Sequence, residues 1–276
     1  MTDRAPGRAP AYRRAVAAVW IGGPPGAGKT TVARLLARRH GLRWYGADTR
    51  TWAHRDRASA AGHPGAVRFE ALSLEARWTA PPAELLAMSL HRERGTMILD
   101  DLRALPAAPL TVVEGTPVTP AVAGEPAVWL LPTAEFQRAQ LSGRRLNPGT
   151  ATLYRLLADE IAREVAEHGR QVVVVDGRLG VVGTVRAVEH AFGSTLRAGP
   201  TATTADERRA LLREANDAIV AQHRAYAARP WASPDALTVV RAFACECGRA
   251  DCTVEIDLPV DAVGARPVLA VGHTPG

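Results

Sequence analysis

The sequence predicts an α/β fold: a parallel sheet with helices on both faces, three layers deep, followed by a small C-terminal helix and a cysteine-rich α+β appendage. Three observations predict it. Short apolar runs without polar alternation take turns with helical stretches, as a parallel sheet buried on both faces requires. A glycine-rich loop follows the first of those runs and opens a helix. A small polar break, Gly199-Pro200-Thr201-Ala202-Thr203-Thr204, sets off a long helix and three cysteines.

In chain order, residues 1–14 are rich in Arg, Pro and Ala and read as a flexible N-terminus. Ala15 to Ile21 is an apolar run ahead of glycines, a buried strand. Thr30 to His40 carries Val32, Leu35 and Leu36 as an apolar stripe, with Gly41 as its stop. Leu42 to Tyr45 is a second strand, ending at Gly46-Ala47-Asp48. Residues 49–80 are polar with scattered Trp, His and Arg, and read as helices and loops covering a site. Pro82 to Leu105 reads as mostly helical, with Gly95 its weak point.

Leu110 to Val113 and Ala127 to Leu131 are further strands, the first ending at Glu114-Gly115. Thr133 to Gly149 is rich in arginine and reads as a mobile segment. Ala151 to His168 places Leu153, Leu156, Leu157, Ile161 and Val165 along one side of a helix. Gln171 to Val175 is the fifth strand and Val181 to Phe192 its helix. A boundary near residue 200 divides a unit over 15–199 from one over 200–276, which begins with a helix over Ala205 to Ala228.

Gly23-Pro24-Pro25-Gly26-Ala27-Gly28-Lys29-Thr30 matches the Gly-x4-Gly-Lys-Ser/Thr phosphate loop in full, between a strand and a helix. Its glycines let successive N–H groups turn inward on phosphates, and the helix adds its positive end. Lys29 is the only lysine in a chain whose other cations are arginines. A compact ammonium fits a phosphate cradle that a planar guanidinium does not. The loop therefore predicts binding of ATP or GTP with magnesium: Lys29 on the β- and γ-phosphates, Thr30 as magnesium ligand, Thr31 at the α-phosphate end. This makes the fold a P-loop NTPase fold, in which ligands meet the carboxyl ends of the strands.

The chain resembles P-loop small-molecule and nucleotide kinases of the adenylate, shikimate and gluconate kinase type over residues 15 to 195. The phosphate loop carries the resemblance. So does the order that follows: Asp48 after the second strand, Glu114 after the third, an arginine-rich segment after the fourth, then a strand ending in Asp176-Gly177. The resemblance implies transfer of a γ-phosphoryl group to a small hydroxyl- or phosphate-bearing acceptor. Asp48 would hold the attacking hydroxyl, although an Asp here also suits a helix cap. Arg50 would hold an anionic part of the acceptor. Glu114 would reach magnesium or a substrate hydroxyl, with Asp100-Asp101 as its rival. Arg138, Arg144 and Arg145 would close over the phosphates as a lid. Trp44, Tyr45, Trp52, His54 and Trp78 surround the expected acceptor region, as stacking groups or as core.

Cys245, Cys247 and Cys252 are spaced Cys-x-Cys-x4-Cys, with His273 beyond. Four such donors suit a closed tetrahedral zinc site, which would staple a tail too small to fold alone. The tail resembles short bacterial segments with the same Cys-Glu-Cys, Cys and His layout. It offers a surface for a protein partner.

The net charge of +6 and pI near 9.9 raise nucleic acid as a partner. The arginines are dispersed, without a basic block interleaved with aromatics, and this disfavours it. No apolar run approaches the roughly 20 residues of a bilayer span, and the cysteine count suits a reducing compartment, so a cytoplasmic location is expected. Two rivals to the kinase reading stand: a nucleotide-dependent regulatory ATPase or switch acting through the tail, and a kinase or binder of nucleic-acid ends.

Overall fold

The computed structural model describes residues 17–144 and 146–275. The expected flexible segment over 1–14 and the candidate Arg145 lie outside the described residues.

Strand β1 (Ala18–Gly22) runs into the phosphate loop, and helix α1 (Lys29–His40) leaves it. Gly41 ends α1 in the left-handed region, φ 62°, where glycine is strain-free. β2 (Arg43–Gly46) follows, then a short 3-10 turn at Ala47–Arg50. Five helices then run α2 (Thr51–Ala60), α3 (Pro64–Ala71), α4 (Leu74–Trp78), α5 (Pro82–Ser89) and α6 (Arg94–Ala104). The single helix expected over Pro82 to Leu105 is thus two. The break falls at Leu90, φ 57°, and not at Gly95, which stays helical because its bare Cα lets Val122 pack against it.

β3 (Thr111–Glu114) and β4 (Ala127–Pro132) come next. Part of the arginine-rich segment over 133–149 forms α7 (Ala134–Ser142), where the Thr133 side chain accepts the Phe136 N–H and caps the helix. α8 (Pro148–Glu167) starts three residues before the expected Ala151, with Asn147 as its cap and Pro148 in its first turn. β5 (Val172–Val175), α9 (Gly180–Ala191) and α10 (Gly193–Ala198) complete this part. α11 (Ala205–Ala227) opens with a reciprocal Thr204–Glu207 capping box. β6 (Val240–Ala244) and β7 (Glu255–Pro259) form an antiparallel pair.

All five strands of the main sheet are parallel, in the order β2-β3-β1-β4-β5. With the phosphate loop after the central β1, this is the α/β P-loop NTPase fold. Side chains leave each strand alternately to two cores. Val19, Ile21, Val112, Val128 and Leu130 face one side, with Leu36 of α1, Val188 of α9 and Ile219 of α11. Trp20, Tyr45, Val113 and Trp129 face the other, with Phe69, Ile98 and Leu157. Burying a side chain such as Trp129 or Leu130 completely contributes about 1.5–3 kcal/mol.

Phe243, Val260 and Val268 of the tail belong to the same core as α1 and β1. Arg34 of α1 donates to the Ala242 carbonyl at 3.0 Å, and Arg34 and Arg38 both pair with Glu255 of β7. Among the described residues no helix is long and apolar enough to cross a membrane.

Candidate active site

The phosphate loop has the conformation its glycines predict. Gly26 and Gly28 have φ of 84° and 80°, which L side chains rarely adopt. Gly28 is also the N-cap of α1 and brings no side chain to cap it, so the first N–H groups of the helix face the loop uncapped. Lys29 is buried, and its Nζ donates to the Pro24 carbonyl at 2.9 Å, across the mouth of the cradle. Burial pulls the ammonium's pKa down, opposed by Asp48 and Glu114.

Thr30 donates its hydroxyl to Glu114 Oε1 at 3.1 Å. Glu114, 1 % exposed at the end of β3, makes no hydrogen bond through Oε2 to any described residue. Burial, with Asp48 adding to it and Lys29 opposing, lifts the carboxyl to about 7. A hydroxyl and a half-satisfied carboxylate are hard oxygen donors of the kind magnesium takes, and they meet at the foot of the cradle. The rival pair is elsewhere: Asp100 and Asp101 lie on α6, and Asp100 bonds Arg103 of the same helix.

Asp48 stands beyond the end of β2, with its side chain half-exposed. Thr116 donates to its Oδ2 from both backbone N–H and hydroxyl, each at 3.4 Å, and Arg94 stands 3.8 Å from Oδ1. The following helix α2 has Arg50, not Asp48, at its N-cap position. A buried chain of side chains backs it. Arg94 bonds the Ala47 carbonyl and, through Nε, His54 Nδ1 at 3.2 Å. Arginine can only donate, so Nδ1 accepts and Nε2–H is left to donate to Asp101 Oδ2 at 2.9 Å. Tyr45 and Arg57 also donate to Asp101. Burial alone would raise the Asp101 carboxyl, but the bonds from His54 and Tyr45 bring it down to about 2. Burial likewise lowers His54, consistent with a neutral ring.

The cradle opens into a cavity of about 570 Å³. Thr30, Thr31, Asp48 and Arg144 line its phosphate end; Trp52, Arg55, Phe69, Trp78, His91 and Arg94 line the other. Of the lid candidates, Arg144 faces the cavity. Arg138 does not: it is exposed and bonds the Ala134 carbonyl of its own helix. Its neighbour Gln137 is the residue that meets the loop, donating to the Pro25 carbonyl at 2.8 Å, and successive helical positions point about 100° apart. Arg50 lies over the Tyr45 ring and outside the cavity lining. Trp44 belongs to the opposite core, while Trp52 and Trp78 do reach the cavity. Sequence reasoning missed Arg55, Phe69, His91, Arg94 and Thr116. Only Thr116, two residues past Glu114, stood beside a recognisable signal.

The cysteines and His273 converge as expected. Their ligand atoms lie within 4.8 Å of one another, with Cys245 and Cys252 sulfurs 3.4 and 3.6 Å from His273 Nδ1. Glu246, between the first two cysteines, is buried and held by Asn216 Nδ2 at 2.7 Å and Arg213 at 3.1 Å, which ties the cluster to α11. The Ala270 N–H donates to Cys245 Sγ at 3.3 Å.

No protein-family model and no curated protein matches this chain. Several solved structures are similar to it. An unliganded sugar kinase from Janibacter sp. HTCC2649 is 19% identical over 65% of this chain and 95% of its own, with a TM-score of 0.36. A shikimate kinase from Acinetobacter baumannii in complex with shikimate is 20% identical over 65% and 94%, at 0.37. A deoxyadenosine kinase from M. mycoides is 11% identical over 64% and 99%, at 0.39. The likeness is loose, and the fold assignment rests on the sheet order and the loop.

Proposed function

We propose that this protein transfers the γ-phosphoryl group of ATP or GTP, with magnesium, to a hydroxyl or phosphate of a small-molecule acceptor. One observation carries the reading: a single cavity joins the phosphate cradle to a second, side-chain-lined pocket across Asp48. A switch or ATPase needs room for nucleotide and water, whereas this cavity continues past Asp48 to a wall of Trp52, Phe69 and Trp78, the kind of lining small-molecule sites have.

Lys29 would leave the Pro24 carbonyl for the β- and γ-phosphate oxygens, and the α1 N-terminus would hold the chain of phosphates. Thr30 and Glu114 would hold magnesium. When bound, that ion would neutralise the charge that develops on the phosphates during transfer. Asp48, steadied by Thr116 and Arg94, would orient the attacking hydroxyl and accept its proton. Arg144 would spread charge from the transferring group. The unit over 15–199 would carry the chemistry, and that over 200–276 would support it.

Cys245, Cys247, Cys252 and His273 would bind zinc as a structural staple. Their mutual spacing suits a tetrahedral ion with sulfur ligands at about 2.3 Å. Elemental analysis of protein purified without added metal checks this, and absence of zinc would sink it.

The decisive test of function is γ-labelled ATP with magnesium and a small-molecule cell extract, for wild type and Lys29→Ala. Label entering a small molecule with wild type alone is the expected result, and its mass names the acceptor. Label released only as free phosphate, unchanged by extract, overturns transfer in favour of a switch or ATPase.

A further inference from the structure

The acceptor half of the cavity contains a buried cation that the protein does not satisfy. Arg55 of α2 is 5 % exposed and lines the cavity. Its Nη2 donates to the Met88 carbonyl at 2.7 Å. Its Nε and Nη1 are buried and make no hydrogen bond to any described residue. The guanidinium carbon sits 3.7 Å from the Phe69 ring centre, so its face is covered, while two donors along its edge are left unbonded.

The surrounding charges leave this cation open. Arg94, next to it in the cavity wall, spends its donors on Ala47, His54 and Asp48. Glu70 is the acid that most favours the charge on Arg55, but it is already paired with Arg229 at 3.4 Å. Burial lowers the Arg55 pKa only to about 10, so the group is charged at neutral pH. A buried charge with no anion paired to it and donors left unbonded is costly to a fold, and one that lines a cavity points to a ligand that answers it.

Two further features describe that ligand. His91 is 6 % exposed, lines the same pocket, and among the described residues has no partner for either ring nitrogen. Burial lowers it to about 4, so it presents one donor and one acceptor as a neutral ring. Trp52, Phe69 and Trp78 supply an aromatic wall.

We propose that the acceptor carries an anionic oxygen group, carboxylate or phosphate monoester, on a flat apolar body, with Arg55 binding the anion. His91 bonds an adjacent polar group, and Trp52, Phe69 and Trp78 cover the body. The word acceptor rests on the phosphotransfer reading; the anion site itself does not.

The test is direct binding with the phosphate loop filled by Mg-ADP, so that probes meet only the second pocket. Three probes are titrated calorimetrically: para-hydroxymethylbenzoate, phenyl phosphate, and the neutral para-hydroxymethylbenzamide. At least one anion is expected to bind about tenfold tighter than the amide, or more, as charge-assisted hydrogen bonds allow. The tighter anion distinguishes a carboxylate from a phosphate ligand. Arg55→Gln is expected to erase that preference and leave Mg-ADP binding unchanged. Arg55→Lys is expected to keep part of it.

Equal binding of amide and anions, no binding of any probe, or a preference that survives Arg55→Gln overturns the proposal. If Arg55→Gln loses Mg-ADP binding and so fails to fold, Arg55→Lys decides: a folded variant without the preference overturns it, and one that retains it supports it. Label transferred from ATP only to neutral acceptors would overturn the anion site and leave phosphotransfer standing. Anion preference without any transfer would do the reverse.

Discussion

The two ends of the cavity are made in different ways. The phosphate end is built on one unbroken stretch, the loop up to Thr31, to which Glu114, Asp48 and Arg144 are added from elsewhere in the chain. It works mainly through backbone N–H groups, so its requirements are local and fall at fixed spacing. The acceptor end takes Trp52 and Arg55 from α2, Phe69 from α3, Trp78 from α4, Arg94 from α6 and Tyr154 from α8. It works through side chains that only the tertiary fold brings together. The phosphate end therefore depends on single atoms, and the acceptor end depends on a braced wall.

Substitutions can break or sharpen that contrast. Lys29→Ala is expected to cost the most, about a thousandfold or more in label transfer, because no second lysine exists to replace it. Glu114→Gln follows, at about a hundredfold, whereas Asp100→Asn, on an exposed helix face, should change turnover less than about twofold. A larger loss for Asp100→Asn would move the metal site to α6.

Glu114 also predicts a pH signature without metal. Its folded carboxyl titrates near 7 and its unfolded one near 4.5, so the folded state retains a proton across that window. Its stabilising share is full below the lower value and is lost as pH rises through the upper. Thermal melts should show wild type losing stability between pH 4.5 and 7 relative to Glu114→Gln. Parallel curves would contradict the raised pKa.

His54→Ala opens the chain between Arg94 and Asp101 behind Asp48. It should lower turnover about tenfold and stability by about 1–3 kcal/mol, read from kinetics and denaturant melts. Replacing Thr204 by Ala tests the far end of the scale. Loss of its cap should cost about 1 kcal/mol in the same melts and leave transfer untouched.

This contrast also explains what was legible in the sequence. The sheet, the loop and Glu114 were legible because apolar runs, glycines and a strand-end acid are adjacent in the chain. The Cys245 cluster was legible for the same reason, although bringing His273 to it needed the fold. Arg55 looked like any arginine in a polar helix, and nothing local distinguishes it from Arg57, which serves Asp101. The arginine-rich segment was legible only in part: its composition did not reveal the helix that Thr133 caps, or that Gln137 meets the loop while Arg138 is exposed.

Trp52 has a second neighbour set outside the cavity. Tyr226 and Trp231 pack on its ring at 5.5 and 5.6 Å, Gln222 of α11 accepts its backbone N–H, and Arg229 lies over it. The Trp52 wall of the cavity is therefore propped from behind by residues that follow residue 200. A protein ended at residue 199 would keep its phosphate loop intact in sequence but leave that wall without its prop. Conversely, a change at Tyr226 or Trp231, neither of which lines the cavity, is expected to tilt Trp52 and retune the pocket while every residue lining it stays the same.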